Sequence, residues 1–253
     1  MLRLPCRPES RPLACHFPSI SIHSTFDASM THEKSLNPVR VSRAERLGSA
    51  FALTWRRDFE FTAGQLAEVA LDDRGPSRLY SLFTGPREDE AGILFNIAEG
   101  GELTPSLARL APGDTILLRG PSGSFPAFTG PGVWIANGTG VAPFLSMARA
   151  GLSAEKTLLH GARALEDFYF QDELEAVMGD RYLRCRSGAG SGGDYDYGEG
   201  IRAGRLTAVI ESESWDPGTI YELCGSAPMV VEVRDLLVAK GIPHSKIVSE
   251  VYF

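Results

Sequence analysis

From Val39 to Arg119 the apolar positions come in short runs, several alternating with polar ones: Val39-Arg40-Val41, Phe51 to Trp55, Leu66 to Leu71, Leu79 to Phe83, Ile93 to Ile97 and Thr115 to Leu118. Runs of this length and alternation read as strands, and about six of them at close spacing predict a small antiparallel barrel or sandwich. Gly75-Pro76, Gly85-Pro86, Pro112-Gly113-Asp114 and Gly120-Pro121 supply turns between or after them. At Val133 the rhythm changes. Val133 to Ala136 precedes a helix near Ala142 to Ala150, and Lys156 to His160 precedes a helix near Asp167 to Met178. Tyr182 to Cys185 is followed by Leu206 to Ile210, and Ile220 to Cys224 by Met229 to Lys240, with Ile247 to Val251 closing the series. Such alternation predicts a parallel α/β sheet. Phe125 to Gly132, rich in glycine and proline, is the natural linker, and Ser187 to Gly200 reads as a long flexible loop. The expected organisation is therefore two-domain: a tail or early start over 1–35, an antiparallel β-barrel over 36–126, and a parallel-sheet α/β domain over 130–253.

The length of 253 residues has room for both domains. A net charge of -7 gives no general basic footprint for nucleic acid. No run of about 18 apolar residues is present, so no membrane span is expected. The cysteines Cys6, Cys15, Cys185 and Cys224 show neither the close pairs of a zinc site nor the spacing of an iron–sulfur site. Any such cluster belongs on a partner, no metal is expected here, and the cytoplasm is the default compartment. The first residues, with only Glu9, Asp27 and Glu33 as acids, read as a disordered tail or as sequence upstream of a true start at Met30. A targeting segment is the lesser alternative.

Three motifs carry candidate chemistry. Arg78-Leu79-Tyr80-Ser81 falls on the fourth strand, where alternation sets Arg78 and Tyr80 on one face and Ser81 on the other. By itself a strand tyrosine reads as packing. Gly138-Thr139-Gly140-Val141-Ala142-Pro143-Phe144 follows a strand and opens a helix, offering free N–H groups to a phosphate. Pro143 suits a first helical turn. It also replaces the last glycine of Gly-x-Gly-x-x-Gly, which disfavours an ordinary Rossmann dehydrogenase. Cys224-Gly225-Ser226-Ala227-Pro228-Met229 sits at the end of another strand, on the edge where open α/β sheets bind ligands. A lone cysteine there is more often buried packing. The chain ends Glu250-Val251-Tyr252-Phe253.

In this order, and with Gly101-x-Leu103-Thr104-x-x-Leu107 between the first two, these motifs resemble the ferredoxin–NADP reductase family from about Val39 to Phe253, its bacterial members above all. The resemblance implies a barrel that holds FAD and an α/β domain that holds NADP(H). It implies that Arg78, next to Leu79, pairs with the FAD pyrophosphate, that Tyr80 stacks on the flavin ring, and that Ser81 lies near its reactive nitrogen. Gly101, Leu103 and Thr104 correspond to a second phosphate contact, and Tyr252 covers the other flavin face with Phe253 beyond it. Gly138, Thr139, Gly140, Pro143 and Gly225 correspond to the nicotinamide-nucleotide site. Ser81, Cys224, Glu250 and Tyr252 correspond to the catalytic set, and Arg163, Arg186 and Arg205 to the cradle of the adenosine 2′-phosphate. Clustered arginines would favour NADP over NAD by charge-assisted hydrogen bonds, the alternative being solvated surface arginines.

The implied activity is FAD-dependent electron transfer between NADP(H) and a one-electron carrier such as ferredoxin or flavodoxin, by a monomer or weak dimer. A reductase component supplying an oxygenase is the alternative, and a flavin-binding subunit without turnover is a further one. Arg43, Arg46, Arg56 and Arg57 form either a basic patch for an acidic carrier or a solvated face.

Overall fold

A computed structural model describes residues 36–123, 125–188 and 200–252. The expected tail, most of the 187–200 loop and Phe253 lie outside the described residues.

Six strands, β1 (Asn37–Leu47), β2 (Ala50–Arg56), β3 (Leu66–Ala70), β4 (Arg78–Ser81), β5 (Glu90–Asn96) and β6 (Thr115–Ser122), form an antiparallel sheet in the order β4-β3-β6-β1-β2-β5. A bridge between Leu82 and Ile93 draws the two edges together and closes the barrel. Its core is built from the alternate positions that the apolar pattern marks, among them Leu53, Trp55, Val69, Ile93 and Ile116. Gly120-Pro121 is not a turn but part of β6, opposite a register shift between Leu66 and Glu68. A shift of this kind accommodates residues that break regular pairing.

The second sheet comprises β7 (Gly132–Asn137), β8 (Lys156–Ala162), β9 (Tyr182–Arg186), β10 (Ile201–Ala203), β11 (Ile220–Ser226) and β12 (Ile247–Tyr252). All are parallel, in the order β10-β9-β8-β7-β11-β12. The helices of this region are α2 (Ala142–Arg149), α3 (Gln171–Met178), α4 (Leu206–Ser212) and α5 (Ala227–Ala239), and α1 (Leu103–Leu107) belongs to the barrel. The helix expected from Asp167 starts only at Gln171. Leu165–Asp167 is a short 3-10 turn, and Phe170 stands in the left-handed region at φ 57°.

That conformation is stabilised by contacts between the barrel and the second sheet. Phe170 stacks on Phe83 at 5.1 Å, and the Arg149 guanidinium lies 5.5 Å from each ring. Arg149 also pairs with Glu173 at 2.8 Å and Glu88 at 3.5 Å. Beside them Ser146 Oγ donates to the Thr84 carbonyl at 2.6 Å, and the Ser49 N–H donates to Asp167 at 3.1 Å. Aromatic, cationic and hydrogen-bonded contacts thus hold the segment after β4 against α2 and the start of α3. Among the described residues no helix is long and apolar enough to cross a membrane.

Candidate active site

A cleft of about 1320 Å³ opens between the barrel and the second sheet, bordered by β4, the segment after β5, the Asn137–Thr139 turn and the end of β12. On β4, Arg78 is exposed and its guanidinium donates to the Ser77 carbonyl at 2.8 Å. It makes no ion pair with a carboxylate among the described residues. Its neighbour Arg119 is different, held in a two-pronged pair with Glu68 that also takes the Ser77 hydroxyl. Arg78 is therefore a positive charge at the cleft whose donors are largely uncommitted, the arrangement a phosphate requires. Leu79 beside it is 55% exposed. Tyr80 is half-buried against Phe95 at 5.9 Å, and burial pushes its hydroxyl up to about 12, so the phenol is neutral.

After β5 the chain turns back on itself. The Gly101 N–H donates to the Ala98 carbonyl at 3.0 Å and the Ala98 N–H donates to Thr104 Oγ1 at 2.8 Å. Thr104 keeps its own hydroxyl hydrogen to donate. The Leu103 side chain packs in the barrel core while the residue still borders the cleft.

Ser81 is 2% exposed and is the hub of a network assembled from both sheets. The Tyr252 hydroxyl donates to Ser81 Oγ at 2.6 Å, and Ser81 donates to Glu250 Oε1 at 2.5 Å. Cys224 Sγ approaches the same carboxylate oxygen at 3.8 Å. Parallel register explains the convergence on the sheet side, since Cys224 pairs with Glu250 and Ser226 with Tyr252 across β11 and β12. Burial, followed by the nearby Glu250 charge, raises the Cys224 thiol well above its ordinary value. It is a neutral S–H, a weak donor and not a thiolate nucleophile. Burial also raises Glu250, with Ser81 and Cys224 partly opposing the shift by donating to it.

A carboxyl whose folded-state pKa lies above the unfolded value near 4.5 contributes stability below that pH, and the contribution is lost as pH rises through the folded value. Glu250→Gln, which cannot ionise, is expected to melt at a higher temperature than the unchanged protein at neutral pH. The difference should shrink toward about pH 5 in thermal denaturation. An equal difference at both pH values would mean that ionisation of Glu250 is not what burial penalises.

The second-sheet side is shaped by close backbone approach. Asn137 ends β7, Gly138–Val141 forms a 3-10 turn, and α2 begins with Pro143 in its first turn. Gly138 and Thr139 border the cleft, whereas Gly140, Pro143, Cys224 and Gly225 are buried behind its wall. The buried ones set the shape of the wall. A Cβ on Gly140 would lie 2.3 Å from the Cys224 carbonyl oxygen. Gly225, at φ +147°, would place one 1.9 Å from Asn137 Oδ1. Asn137 joins the two turns, accepting from the Ser226 N–H at 2.9 Å and donating to Ser226 Oγ at 3.0 Å. Nothing in the sequence pattern marks Asn137 for this role.

Arg163, Arg186 and Arg205 do not border the cleft but gather at the carboxyl edge of the outer strands. Ala162 and Ala203 flank Arg186 in register, and the Gly204 N–H donates to the Arg186 carbonyl at 2.8 Å. Arg163 and Arg205 are exposed, Arg205 pairs with Glu232 of α5, and Arg186 Nε is buried with no hydrogen-bond partner among the described residues. The four arginines of the other cluster are less free. Arg43 pairs with Glu90 at 2.8 Å, Arg57 donates to the carbonyls of Glu88, Phe59 and Pro86, and Arg46 donates to the Gly48 carbonyl at 3.2 Å. Only Arg56 has no such commitment among the described residues.

The same division of labour recurs in known proteins. Residues 134–235 match the family model described as the oxidoreductase NAD-binding domain. Ferredoxin–NADP reductase B of Sorangium cellulosum is 33% identical over 249 residues, covering 90% of this chain and 97% of that protein. The reductase component of propane 2-monooxygenase from Mycolicibacterium goodii is 30% identical over 203 residues, which are 75% of this chain but 58% of that one. Among solved structures, the Amycolatopsis cytochrome P450 reductase GcoB superposes with a TM-score of 0.73 at 25% identity, over 85% of this chain and 70% of that one. A Neisseria gonorrhoeae ferredoxin–NADP reductase with bound FAD and NADP shares the fold, with a TM-score of 0.75 at 20% identity over 86% and 99% of the two chains. A relative one-third identical along almost its whole length, on an antiparallel barrel followed by a parallel α/β sheet, leaves one assignment: the chain belongs to the ferredoxin–NADP reductase family of oxidoreductases.

Proposed function

We propose that this chain is an FAD-dependent reductase that moves electrons between NADP(H) and a one-electron carrier protein such as ferredoxin or flavodoxin. The observation that carries the reading is the Ser81–Glu250–Tyr252–Cys224 network, built from both sheets at the edge of a cleft where Arg78 has no carboxylate partner. FAD bound in that cleft would supply the redox chemistry, exchanging a hydride with the nicotinamide and single electrons with the carrier.

The residues fit that cofactor. Arg78 would take the pyrophosphate, with the Thr104 hydroxyl and the backbone at Gly101 and Leu103 as further contacts. Tyr80 and Tyr252 both border the cleft and would hold a flat ring system between them. Phe253 would extend the cover on the Tyr252 side. Ser81 would orient the reacting edge, and Glu250 with Cys224 would position the nicotinamide and exclude water. The nicotinamide nucleotide would lie on the turns at Gly138-Thr139-Gly140 and Gly225. In this reading residues 36–126 bind FAD, 130–253 bind the nucleotide, and the enzyme is a cytoplasmic monomer or weak dimer. Kinship with an oxygenase reductase component supports a second reading, delivery of electrons to an oxygenase system.

An absorbance spectrum of the purified protein, followed by anaerobic titration with NADPH and separately NADH, tests the proposal. A yellow protein bleached by stoichiometric NADPH supports it, and a protein that takes up no FAD overturns it. Arg163, Arg186 and Arg205 would receive the 2′-phosphate, drawing Arg205 from Glu232. Arg186→Ala is then expected to weaken NADPH binding roughly 10- to 100-fold and NADH little. Equal loss for both nucleotides would remove the arginines from the specificity argument.

A further inference from the structure

We propose that Glu232 of α5 is a specificity-determining residue, whose carboxylate holds Arg205 and opposes a 2′-phosphate at the arginine cluster, so that it limits the preference for NADP(H) over NAD(H). The inference rests on the reading that Arg163, Arg186 and Arg205 receive that phosphate.

The cluster is fixed through its backbone. The Ser187 N–H donates to the Ala162 carbonyl at 2.9 Å and the Gly204 N–H to the Arg186 carbonyl at 2.8 Å, so the segments leaving β8, β9 and β10 are tied together where the arginines stand. Leu206, next to Arg205, packs over the end of β8, where a Cβ on Gly161 would lie 2.5 Å from Leu206 Cδ2. The Arg205 side chain is less constrained. It is 61% exposed, and its guanidinium donates to Glu232 Oε2. Among the described residues this is the one ion pair that any of the three arginines makes. The neighbouring acids are committed elsewhere, Glu213 to Arg202 and Asp235 to Arg234.

Glu232 has little freedom to withdraw. Val230 and Val233, on either side of it along α5, are buried in the same apolar cluster as Leu206, Val209 and Ile210 of α4. A phosphate that drew Arg205 away would therefore leave the Glu232 carboxylate close by and without its partner. Like charges repel, and the cost falls only on a nucleotide that carries the 2′-phosphate. A nucleotide with a free 2′-hydroxyl leaves the Arg205–Glu232 pair intact. An exposed pair of this kind contributes little to stability, so a substitution at Glu232 tests recognition in a folded protein.

The test is calorimetric titration of the FAD-loaded protein with adenosine 2′,5′-bisphosphate and, separately, with 5′-AMP, which differ only in the 2′-phosphate. Glu232→Gln is expected to tighten the bisphosphate about 3- to 10-fold and to leave 5′-AMP within about twofold. The gain should shrink toward unity in about 1 M salt, where the charges are screened. An unchanged or weaker affinity for the bisphosphate, equal gains for both ligands, or a gain indifferent to salt would overturn the proposal. Arg205→Ala separates the inference from the reading beneath it. If that change weakens both ligands equally or neither, Arg205 does not receive the 2′-phosphate and the reading fails. If it weakens the bisphosphate alone while Glu232→Gln brings no gain, only the role of Glu232 fails.

Discussion

Replacing Ser81 with alanine is expected to slow reduction of the bound flavin by NADPH roughly 100-fold or more, while FAD content and NADP⁺ affinity stay near those of the unchanged protein. One hydroxyl serves two partners, accepting from Tyr252 at 2.6 Å and donating to Glu250 at 2.5 Å. Its loss leaves Glu250 with Cys224 at 3.8 Å, a weak donor. The Ser81 bond is also the larger of the two influences that hold the Glu250 pKa down against burial. Without it the carboxyl moves further toward the neutral acid, and Tyr252 loses the acceptor that tethers its ring at the cleft. Ser81→Thr restores a hydroxyl and should recover most of the rate. Stopped-flow bleaching of the flavin measures all three proteins. A rate for Ser81→Ala within about twofold of the original would show that the network is structural, since no transition-state interaction would then have been removed.

The elements legible in the sequence are those whose apolar residues form a short continuous or alternating run. In β2, Ala52, Leu53, Thr54 and Trp55 are all buried, and β7 is apolar almost throughout, so their composition alone marks them as strands. β10 escapes that logic: three residues, two of them exposed, are held by parallel pairing with β9 and carry no apolar pattern. The late start of α3 escapes it too. The left-handed Phe170 is stabilised by Phe83 and Arg149, which are distant in sequence. The candidate site divides along the same line. Its contiguous motifs are readable because several chemically distinctive residues fall within a few positions. Asn137 and the Arg149 cluster act through partners tens of residues away, and a single sequence carries no mark of such pairings.

Gly140→Ala should all but abolish NADP⁺ binding, with a loss of roughly 100-fold, while the barrel keeps its FAD. The added Cβ would lie 2.3 Å from the Cys224 carbonyl oxygen and 2.6 Å from the Cys224 carbonyl carbon and the Gly225 Cα. These are backbone atoms of β11, which is hydrogen-bonded to β7 on one side and β12 on the other, so they have no room to retreat. The turn must lift instead, costing about 1–3 kcal/mol of stability as overpacking does, and it pulls Asn137 away from Ser226. Arg78, Tyr80 and Thr104 touch none of these atoms, which is why flavin retention is the appropriate control. Gly138→Ala provides the comparison. Its Cβ would meet nothing within 4 Å, and its cost is confined to the φ of +52°, about 1 kcal/mol. Flavin content, thermal melting and NADP⁺ titration of the two variants would therefore separate close approach from backbone conformation. Similar mild losses in both would mean that β11 yields to the new methyl group. A loss confined to Gly140→Ala would locate nucleotide recognition at the contact between the Gly-Thr-Gly and Cys-Gly-Ser turns.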